Sequence, residues 1–422
     1  MVPRSIRHAK VIAGGTVFDP AAGLDCVRNI FIEAGKISEI SDDRQALAAA
    51  SDVSDATGLH IFPAFIDLHV HLREPGFEYK EDIESGSRAA LAGGFGTILC
   101  MPNTNPVNDC AKITRYIIDR AKSVGLVNVS PIGAMTVGLE GEKLADYEGM
   151  LREGIVAISD DGRCIQDYNL AFDAFASAKE LDLLVISHPE FFAKSAGGHI
   201  NAGSVAKKLG LRGINRSAEN DAIQRDLEIA ERTGARLHLT HVSTMEGMEL
   251  VRKAKSLGLC VTCEVTPHHL LLTEDDVERL SGNAKMNPPL RTKADRHALI
   301  AGINDGTVDA IATDHAPHAA AEKQGIEKSA FGVIGMENAF SVCMRLVDEG
   351  LVTLERLVEL FTSGPAKVLR RDMAILKRGF PASLCIVDLK KEFQLSGKFE
   401  SKSSNCPFIG CRVRGEIFAV II

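Results

Sequence analysis

Apolar, β-branched runs alternate with amphipathic stretches through the middle of the chain. The runs predict strands over residues 61–72, 97–102, 127–134, 154–160, 183–188, 236–242, 260–266 and 308–313. Helical spacing predicts helices over residues 111–124, 169–180, 218–233 and 294–304. About eight strand–helix units in roughly three hundred residues are typical of a TIM-type (β/α)8 barrel. A doubly wound open sheet is the alternative, but the Gly-rich phosphate loop that usually accompanies it is not evident.

Short strands punctuated by Gly and Asp characterise both ends of the chain, over residues 11–62 and 379–422. Since chain termini often lie close together, the two ends are predicted to pair into one small β-sandwich domain. The predicted organisation is therefore a composite β domain from residues 1–60 and 375–422, and a barrel from residues 61–374.

Composition and charge exclude several classes of function. The 422 residues are 45% hydrophobic and 25% charged, which is ordinary for a globular protein. The formal net charge of −8 argues against nucleic acid as a partner, because phosphate contacts need clustered Lys and Arg. We expect no signal peptide and no membrane span, and the 10 scattered cysteines favour a reducing cytoplasm.

Histidines and aspartates stand at the ends of several predicted strands. His69 and His71 are two residues apart on one strand, so they face the same side. Later strand ends carry Asp160, Asp161, His188, His238, His241 and Asp314. Active-site residues of a barrel come from such ends, and this N/O donor set suits zinc or another borderline divalent metal. We expect one of the two adjacent aspartates to bind, and His241 to be a better ligand than His238.

Residues 69–76, His-Val-His-Leu-Arg-Glu-Pro-Gly, resemble the H-x-H-x-R-x-P-G signature of dihydroorotases in the amidohydrolase superfamily. Segments 80–82, 93–95, 101–106, 265–270, 285–291, 312–318 and 401–408 agree with that family, and the type resembled is the larger type I. Two departures stand out. Pro189 and Glu190 follow His188 where the family usually shows Cys-Glu-Asp, and Ala330 stands where many relatives have proline.

The resemblance implies a role for each matched residue. One zinc ion would be held by His69, His71, Asp161 and Asp314, and a second, if present, by His188, His241 and the shared Asp161. Asp314 would also carry the proton of the reaction. The substrate contacts implied are Arg73, Asn103 and His318 at a carboxylate, Asn287, and Phe331 with Gly332 at the ring.

The reaction implied is the reversible cyclisation of N-carbamoyl-L-aspartate to (S)-dihydroorotate in de novo pyrimidine biosynthesis. The substrate is a small anion, a homodimer is expected from family habit, and aspartate transcarbamoylase is a candidate partner. One alternative is a hydantoinase or allantoinase that opens another cyclic ureide. Another is a non-catalytic barrel that scaffolds aspartate transcarbamoylase. Such silent relatives have lost metal ligands, whereas every expected ligand is present in this sequence.

Overall fold

The computed structural model describes residues 4–5 and 10–422. Its strands are β1 (Arg4–Ser5), β2 (Val11–Asp19), β3 (Leu24–Glu33), β4 (Lys36–Ser41), β5 (Val53–Asp55), β6 (His60–Pro63), β7 (Phe65–Val70), β8 (Phe95–Cys100), β9 (Asn128–Pro131), β10 (Gly133–Ala134), β11 (Ala157–Ser159), β12 (Leu184–Ser187), β13 (Ile200–Asn201), β14 (Gly213–Ile214), β15 (Arg236–Leu239), β16 (Val261–Val265), β17 (Ala310–Ile311), β18 (Leu384–Gln394) and β19 (Arg412–Ile421).

Its α-helices are α1 (Arg44–Ala49), α2 (Ile83–Ala92), α3 (Ala111–Val124), α4 (Tyr147–Glu153), α5 (Tyr168–Glu180), α6 (Phe192–Ser195), α7 (Ser204–Leu209), α8 (Ser217–Thr233), α9 (Met245–Ser256), α10 (Pro267–Leu271), α11 (Val277–Leu280), α12 (Lys293–Asn304), α13 (Gly325–Lys328), α14 (Ala339–Asp348), α15 (Leu354–Phe361) and α16 (Ser363–Val368). The four helices predicted from spacing are confirmed to within one residue at each end. Gly125 and Gly234 end α3 and α8 in left-handed backbone conformation, which glycine adopts without steric cost.

The strands of the middle of the chain are parallel and follow one another in chain order. They form a three-stranded sheet, β7-β8-β9, and a six-stranded sheet, β10-β11-β12-β15-β16-β17, while β13 and β14 pair separately as a two-stranded parallel sheet. The predicted strand 127–134 is divided between the two sheets, because Ile132 interrupts it. The two larger parallel sheets are therefore separate in their strand pairing, and an isolated parallel bridge between Val70 and His315 joins the far end of the six-stranded sheet to β7.

The two ends of the chain share one further sheet, in the order β1-β19-β18-β6-β2-β3-β4, with β5 paired to β2. Strand β18 is antiparallel to β6, which in turn is parallel to β2. The apolar run 61–72 was predicted as one strand, but its first part is β6 of this sheet. The run divides at Ala64, whose N–H donates to the carbonyl oxygen of Ser383 at 2.9 Å.

A cluster of phenylalanines fills the core where the parallel strands begin. Phe65 is the first residue of β7 and Phe95 the first of β8, and both are fully buried. Phe340 and Phe361 reach them from helices α14 and α15, and the rings of Phe65 and Phe340 stack with centroids 5.2 Å apart. Aromatic packing of this kind anchors the amino ends of the strands and leaves the opposite ends available for polar groups.

Among the described residues, no helix combines the length and the apolar character that crossing a membrane requires.

Candidate active site

Each of the six predicted metal ligands lies at or just beyond the carboxyl end of a buried parallel strand. His69 is on β7 and His71 follows it, while Asp161 follows β11. The other three are His188 after β12, His241 after β15 and Asp314 after β17. Since neighbouring parallel strands end at the same edge, the six side chains meet there, and all of them are buried.

The six candidate ligands form two groups that share Asp161. In the first group, the histidines of β7 contact the aspartates that follow β11 and β17. The Nε2 atom of His71 lies 3.1 Å from Oδ1 of Asp314 and 3.6 Å from Oδ2 of Asp161. The Nε2 atom of His69 lies 3.4 Å from Oδ1 of each of these carboxylates. Four donors from three strands thus face one another without an intervening apolar side chain.

The second part shares Asp161. Its Oδ1 atom lies 3.2 Å from Nδ1 of His188 and 4.0 Å from Nε2 of His241. The two imidazoles are themselves 3.0 Å apart, from Nδ1 of His188 to Nε2 of His241. The donor atoms of His69, Asp161 and His241 also lie within 4.8 Å of one another, so Asp161 stands between the two parts of the site.

This donor set fits a divalent metal ion. The Nε2 atom of His69 is fully buried and makes no hydrogen bond to any described residue, which is costly unless another partner binds it. Tetrahedral ligands with bonds of about 2.0–2.2 Å lie roughly 3.3–3.6 Å apart. The spacings from His69 to Asp161 and Asp314, both 3.4 Å, and from His71 to Asp161, 3.6 Å, fall in this range, and the others lie between 3.0 and 4.0 Å. Imidazole nitrogens and carboxylate oxygens are ligands of zinc and of similar divalent ions.

Burial and mutual charge set the protonation of these groups. Burial alone would raise the pKa of Asp161, but the imidazoles of His69 and His188 outweigh it and hold that pKa well below its usual range. Burial and the neighbouring imidazoles of His188 and His69 lower the pKa of His241. Asp161 is therefore a carboxylate, and His241 is a neutral imidazole with a lone pair available.

Asp160 has a different environment from Asp161. Its Oδ1 atom accepts hydrogen bonds from the backbone N–H groups of Met135 and Thr136, at 2.7 and 3.0 Å, and its Oδ2 atom accepts one from the Thr136 hydroxyl. Burial raises the pKa of Asp160 to about 6, against these hydrogen bonds. The two adjacent aspartates thus point in different directions, and Asp160 ties β11 to the neighbouring segment.

A cavity of about 200 Å³ opens beside the candidate metal ligands. Its lining includes all six residues predicted to contact a substrate: Arg73, Asn103, Asn287, His318, Phe331 and Gly332. Arg73 donates from Nε to the carbonyl oxygen of Pro317 at 3.2 Å and approaches Nε2 of His318 at 3.5 Å. Within the described chain no carboxylate pairs with the Arg73 guanidinium, so its charge remains available to an anion in the cavity.

Comparison with known proteins identifies the family. A family model described as "Dihydro-orotase-like" matches residues 58–247. A dihydroorotase of Citrifermentans bemidjiense is 45% identical over 416 residues, which cover 98% of this chain and 97% of that protein. A dihydroorotase of Geobacter metallireducens is 44% identical over 414 residues, with 98% and 97% coverage. The chain belongs to the dihydroorotase family. It is thus an enzyme of the cyclic amide hydrolase class.

Solved structures agree on the α/β fold. The L-hydantoinase (dihydropyrimidinase) of Arthrobacter aurescens superposes with a TM-score of 0.85 at 26% identity, covering 96% of this chain and 93% of its own. The dihydropyrimidinase of Brevibacillus agri superposes with a TM-score of 0.81 at 21% identity, covering 97% and 93%. Such likeness places this dihydroorotase-family chain within the amidohydrolase superfamily.

Two side chains behind the candidate ligands hold the imidazoles in place. Glu264, on β16, accepts from Nδ1 of His69 at 3.1 Å and from Nε2 of His238 at 3.0 Å. Asn103 places its Oδ1 atom 2.9 Å from Nδ1 of His71. Each contact fixes the ring so that the other nitrogen faces the site. Asn103 was predicted only as a substrate contact, and Glu264 was missed, although a lone carboxylate in an apolar strand signals a buried partner.

A third cluster was also missed by sequence reasoning. Donor atoms of Cys164, His188 and Glu190 lie within 4.8 Å of one another, on the outer side of the His188 ring. Glu190 approaches Nε2 of His188 at 3.2 Å and accepts from Nδ2 of Asn287 at 2.8 Å. Asn287, predicted as a substrate contact, thus lines the cavity and also orients the carboxylate behind His188.

Three site residues adopt left-handed backbone conformations that are uncommon outside glycine. Their φ angles are 65° for Arg73, 34° for His241 and 47° for Asp314. Each follows a parallel strand, at the point where the chain leaves the sheet. Such conformations cost free energy, of order 1–3 kcal/mol each, and tend to cluster at functional sites. Asp and His adopt such conformations more often than other non-glycine residues do, but residue type alone does not single out these positions.

Proposed function

We propose that the chain catalyses the reversible closure of N-carbamoyl-L-aspartate to (S)-dihydroorotate, the ring-forming step of de novo pyrimidine biosynthesis. The observation that carries this proposal is the cluster of imidazoles and carboxylates, spaced mostly 3.0 to 3.6 Å apart, beside the half-buried Arg73, which has no carboxylate partner among residues 10–422. Relatives named dihydroorotase, about 45% identical over nearly the whole chain, support the same activity.

The metal assignment rests on the geometry of the donors. We infer that His69, His71, Asp161 and Asp314 hold one zinc ion and that His188, His241 and Asp161 hold a second. A divalent ion bound there supplies Lewis acidity, which activates water near neutral pH and polarises the amide carbonyl. The Nε2 atom of His69 is buried and has no hydrogen-bond partner among the described residues, which supports this assignment.

The chain's own residues account for the remaining chemistry. In the hydrolytic direction, Asp314 takes a proton from the attacking water and delivers it to the ring nitrogen as the carbon–nitrogen bond breaks. Its Oδ1 atom, 3.1 Å from Nε2 of His71, is held in place for both transfers. In the synthetic direction the same carboxylate takes the proton from the attacking carbamoyl nitrogen and returns it to the departing oxygen, which leaves as water.

Substrate recognition follows from the cavity lining. Arg73 offers a planar, charged donor to the substrate carboxylate, and His318 and Asn103 lie beside it on the same wall. Asn287 offers an amide from the opposite wall, while Phe331 and Gly332 close the cavity over the ring. A cavity of about 200 Å³ suits a small cyclic substrate.

Finer features of the architecture belong to the same proposal. We infer that the two parallel sheets are arcs of one (β/α)8 barrel over residues 61–374, since the bridge from Val70 to His315 joins first and last strands. The segments 1–60 and 375–422 would form a composite β-sandwich domain. The adjacent pair Asp160 and Asp161 is the pattern of type I dihydroorotases. A cytoplasmic homodimer that associates with aspartate transcarbamoylase completes the proposal.

Turnover and metal content together test the function. The purified protein is offered dihydroorotate, dihydrouracil and hydantoin, and ring opening is followed by ultraviolet absorbance while bound metal is measured by elemental analysis. Dihydrouracil is the matched control because it lacks the carboxylate. We expect a kcat/KM for dihydroorotate at least about 10²-fold higher than for dihydrouracil, because the Arg73 pairing is lost without the carboxylate.

A hydantoinase is the competing function, supported by the structural likeness to the L-hydantoinase. Metal-loaded protein that opens hydantoin but leaves dihydroorotate intact would establish that activity instead. Protein that binds aspartate transcarbamoylase but turns over none of the three substrates would indicate a scaffold.

A further inference from the structure

Lys323 lies in the loop that brings Phe331 and Gly332 to the cavity, yet it does not line the cavity itself. Its Nζ atom donates to three backbone carbonyl oxygens: those of Ala330 and Gly332 at 2.8 Å, and that of Lys285 at 3.2 Å. An ammonium group has three N–H donors, so these carbonyls use its full donor capacity.

The charged groups around Lys323 do not explain its position. No carboxylate of residues 10–422 forms an ion pair with it, and the adjacent Glu322 pairs instead with Lys80 at 2.8 Å. The titratable groups whose charges interact with Lys323 are Lys285 and His318, and neither carries a negative charge. Burial and the nearby Lys285 lower the pKa of Lys323 to about 7. A half-buried cation without a counter-ion is unfavourable. No ion pair accounts for the position of Lys323, so we look to its three carbonyl contacts for its effect on the loop.

That consequence lies in the direction of one peptide group. In a trans peptide the C=O and the N–H point in opposite directions. Because the carbonyl of Ala330 is directed at Lys323, the N–H of Phe331 is directed away from it. This N–H donates to no acceptor among residues 10–422, while Phe331 itself lines the cavity. It is therefore available to a molecule bound there.

Other contacts hold the loop but do not set this peptide. Gly332 donates from its N–H to the carbonyl of Lys285 at 2.9 Å, and its own carbonyl also accepts from Nδ2 of Asn405 at 3.2 Å. The carbonyl oxygen of Phe331 accepts a hydrogen bond from Nε2 of His318 at 2.8 Å. Among described side chains, Lys323 alone bonds carbonyls on both sides of Phe331.

We propose that Lys323 is a positioning residue for substrate binding: by holding the carbonyls of Ala330 and Gly332, it directs the Phe331 N–H to the cavity as a donor for a carbonyl oxygen of the cyclic substrate. This inference rests on the proposed dihydroorotase activity. Loss of the three hydrogen bonds lets the loop sample other conformations. The apparent Kd for the substrate then rises in inverse proportion to the fraction of molecules whose loop has the binding conformation.

Kinetics of matched lysine variants test the proposal. Lys323→Met keeps the length of the side chain and removes the charge and the donors. Lys328→Met is the control, because Lys328 is an exposed lysine of the same loop. We expect Lys323→Met to raise the KM for dihydroorotate about tenfold with kcat within about threefold, and Lys328→Met to match the wild type. Lys323→Arg, which keeps a cation and its donors, is expected to restore KM to within about threefold.

A second measurement reads the loop without turnover. Hydrogen exchange of residues 329–333 in the substrate-free protein is expected to be faster in Lys323→Met and unchanged in Lys328→Met. Should the Met variant fail to fold, Lys323→Gln carries the same two expectations. A wild-type KM, unchanged exchange, or equal impairment of the Arg and Met variants would overturn the proposal. If the wild type does not turn over dihydroorotate, the proposed function is wrong. The hydrogen exchange of residues 329–333 still tests whether Lys323 holds the loop.

Discussion

Strand β7 joins two regions of opposite chemistry within six residues. Its first residue, Phe65, packs against Phe95, Phe340 and Phe361. Its penultimate residue, His69, lies beside buried carboxylates. The aromatic region is stabilised by the apolar area it removes from water. The polar region gains nothing from burial itself and depends on every donor having a partner.

This difference teaches which region tolerates change. An apolar core depends on volume, so a substitution there lowers stability while the rest of the molecule keeps its arrangement. In the polar region, removal of one group leaves others unpaired, and the effect appears in metal binding and turnover rather than in packing. Substitutions at the two ends of β7 are therefore expected to separate activity from stability.

The largest effect is expected from His69→Ala. His69 lies between Asp161 and Asp314 and is held from behind by Glu264, so its loss removes a central donor. We expect bound metal to fall by at least one ion per chain and turnover to fall by roughly 10⁴-fold or more. Elemental analysis and the dihydroorotate assay measure both. The control is His297→Ala at an exposed histidine, and full metal occupancy in His69→Ala would contradict the ligand assignment.

Asp314→Asn is expected to act on turnover with the metal retained. Asparagine keeps an oxygen facing His71 but accepts no proton at neutral pH, so the transfer step is lost. We expect kcat to fall about 10²–10⁴-fold, the usual range for removal of a general acid–base group. Metal content, measured on the same sample, should match the wild type. An unchanged kcat would exclude Asp314 as the proton carrier.

At the other end of β7, Phe65→Ala should change stability and leave the chemistry intact. Truncation of a fully buried phenylalanine leaves a cavity and typically costs about 3–5 kcal/mol of unfolding free energy. The matched control is Phe418→Ala, since that ring is 45% exposed and its loss should stay within about 0.5 kcal/mol. Denaturant unfolding measures both. A reduced kcat per folded Phe65→Ala molecule would show that the two regions are coupled.

The same contrast explains what could be predicted from the sequence. Helices α3, α5, α8 and α12 were predicted closely because their periodicity is local and glycines end two of them. The run 61–72 was misassigned as one strand because its division at Ala64 depends on Ser383, more than three hundred residues away. No local pattern carries that information.

For the site, residue type and strand position predicted which side chains meet, because parallel strands end at one edge. The partners behind them were not predicted. Glu264 and Glu190 act through imidazoles on other strands, and Lys323 through carbonyls, so their roles depend on distances that only the folded chain defines. The left-handed conformations of Arg73 and Asp314 are likewise products of the fold.

A carboxylate outside the site sharpens the comparison further. Glu337 accepts from the backbone N–H groups of Glu400 and Ser401, at 2.9 and 3.0 Å, with no cation beside it in the described chain. Burial raises its pKa to about 7, whereas the imidazoles around Asp161 hold that pKa well below its usual range. The pKa values of the two acids thus shift in opposite directions, because Asp161 is surrounded by imidazoles whereas the charged neighbours of Glu337 are the carboxylates of Glu400 and Glu81.

The smallest effect is expected from Glu337→Gln, as a pH dependence. Because the folded protein binds the Glu337 proton more tightly than the unfolded chain, the contribution of Glu337 is fully present below about pH 4.5 and is lost as the pH rises through about 7. Glutamine has no such loss, so the variant should gain roughly 1–3 kcal/mol relative to the wild type between pH 5 and pH 8. Urea unfolding at both pH values, with exposed Glu355→Gln as the control, measures this difference. A gap between variant and wild type that is constant with pH would show that Glu337 is ionised throughout, as Asp161 is.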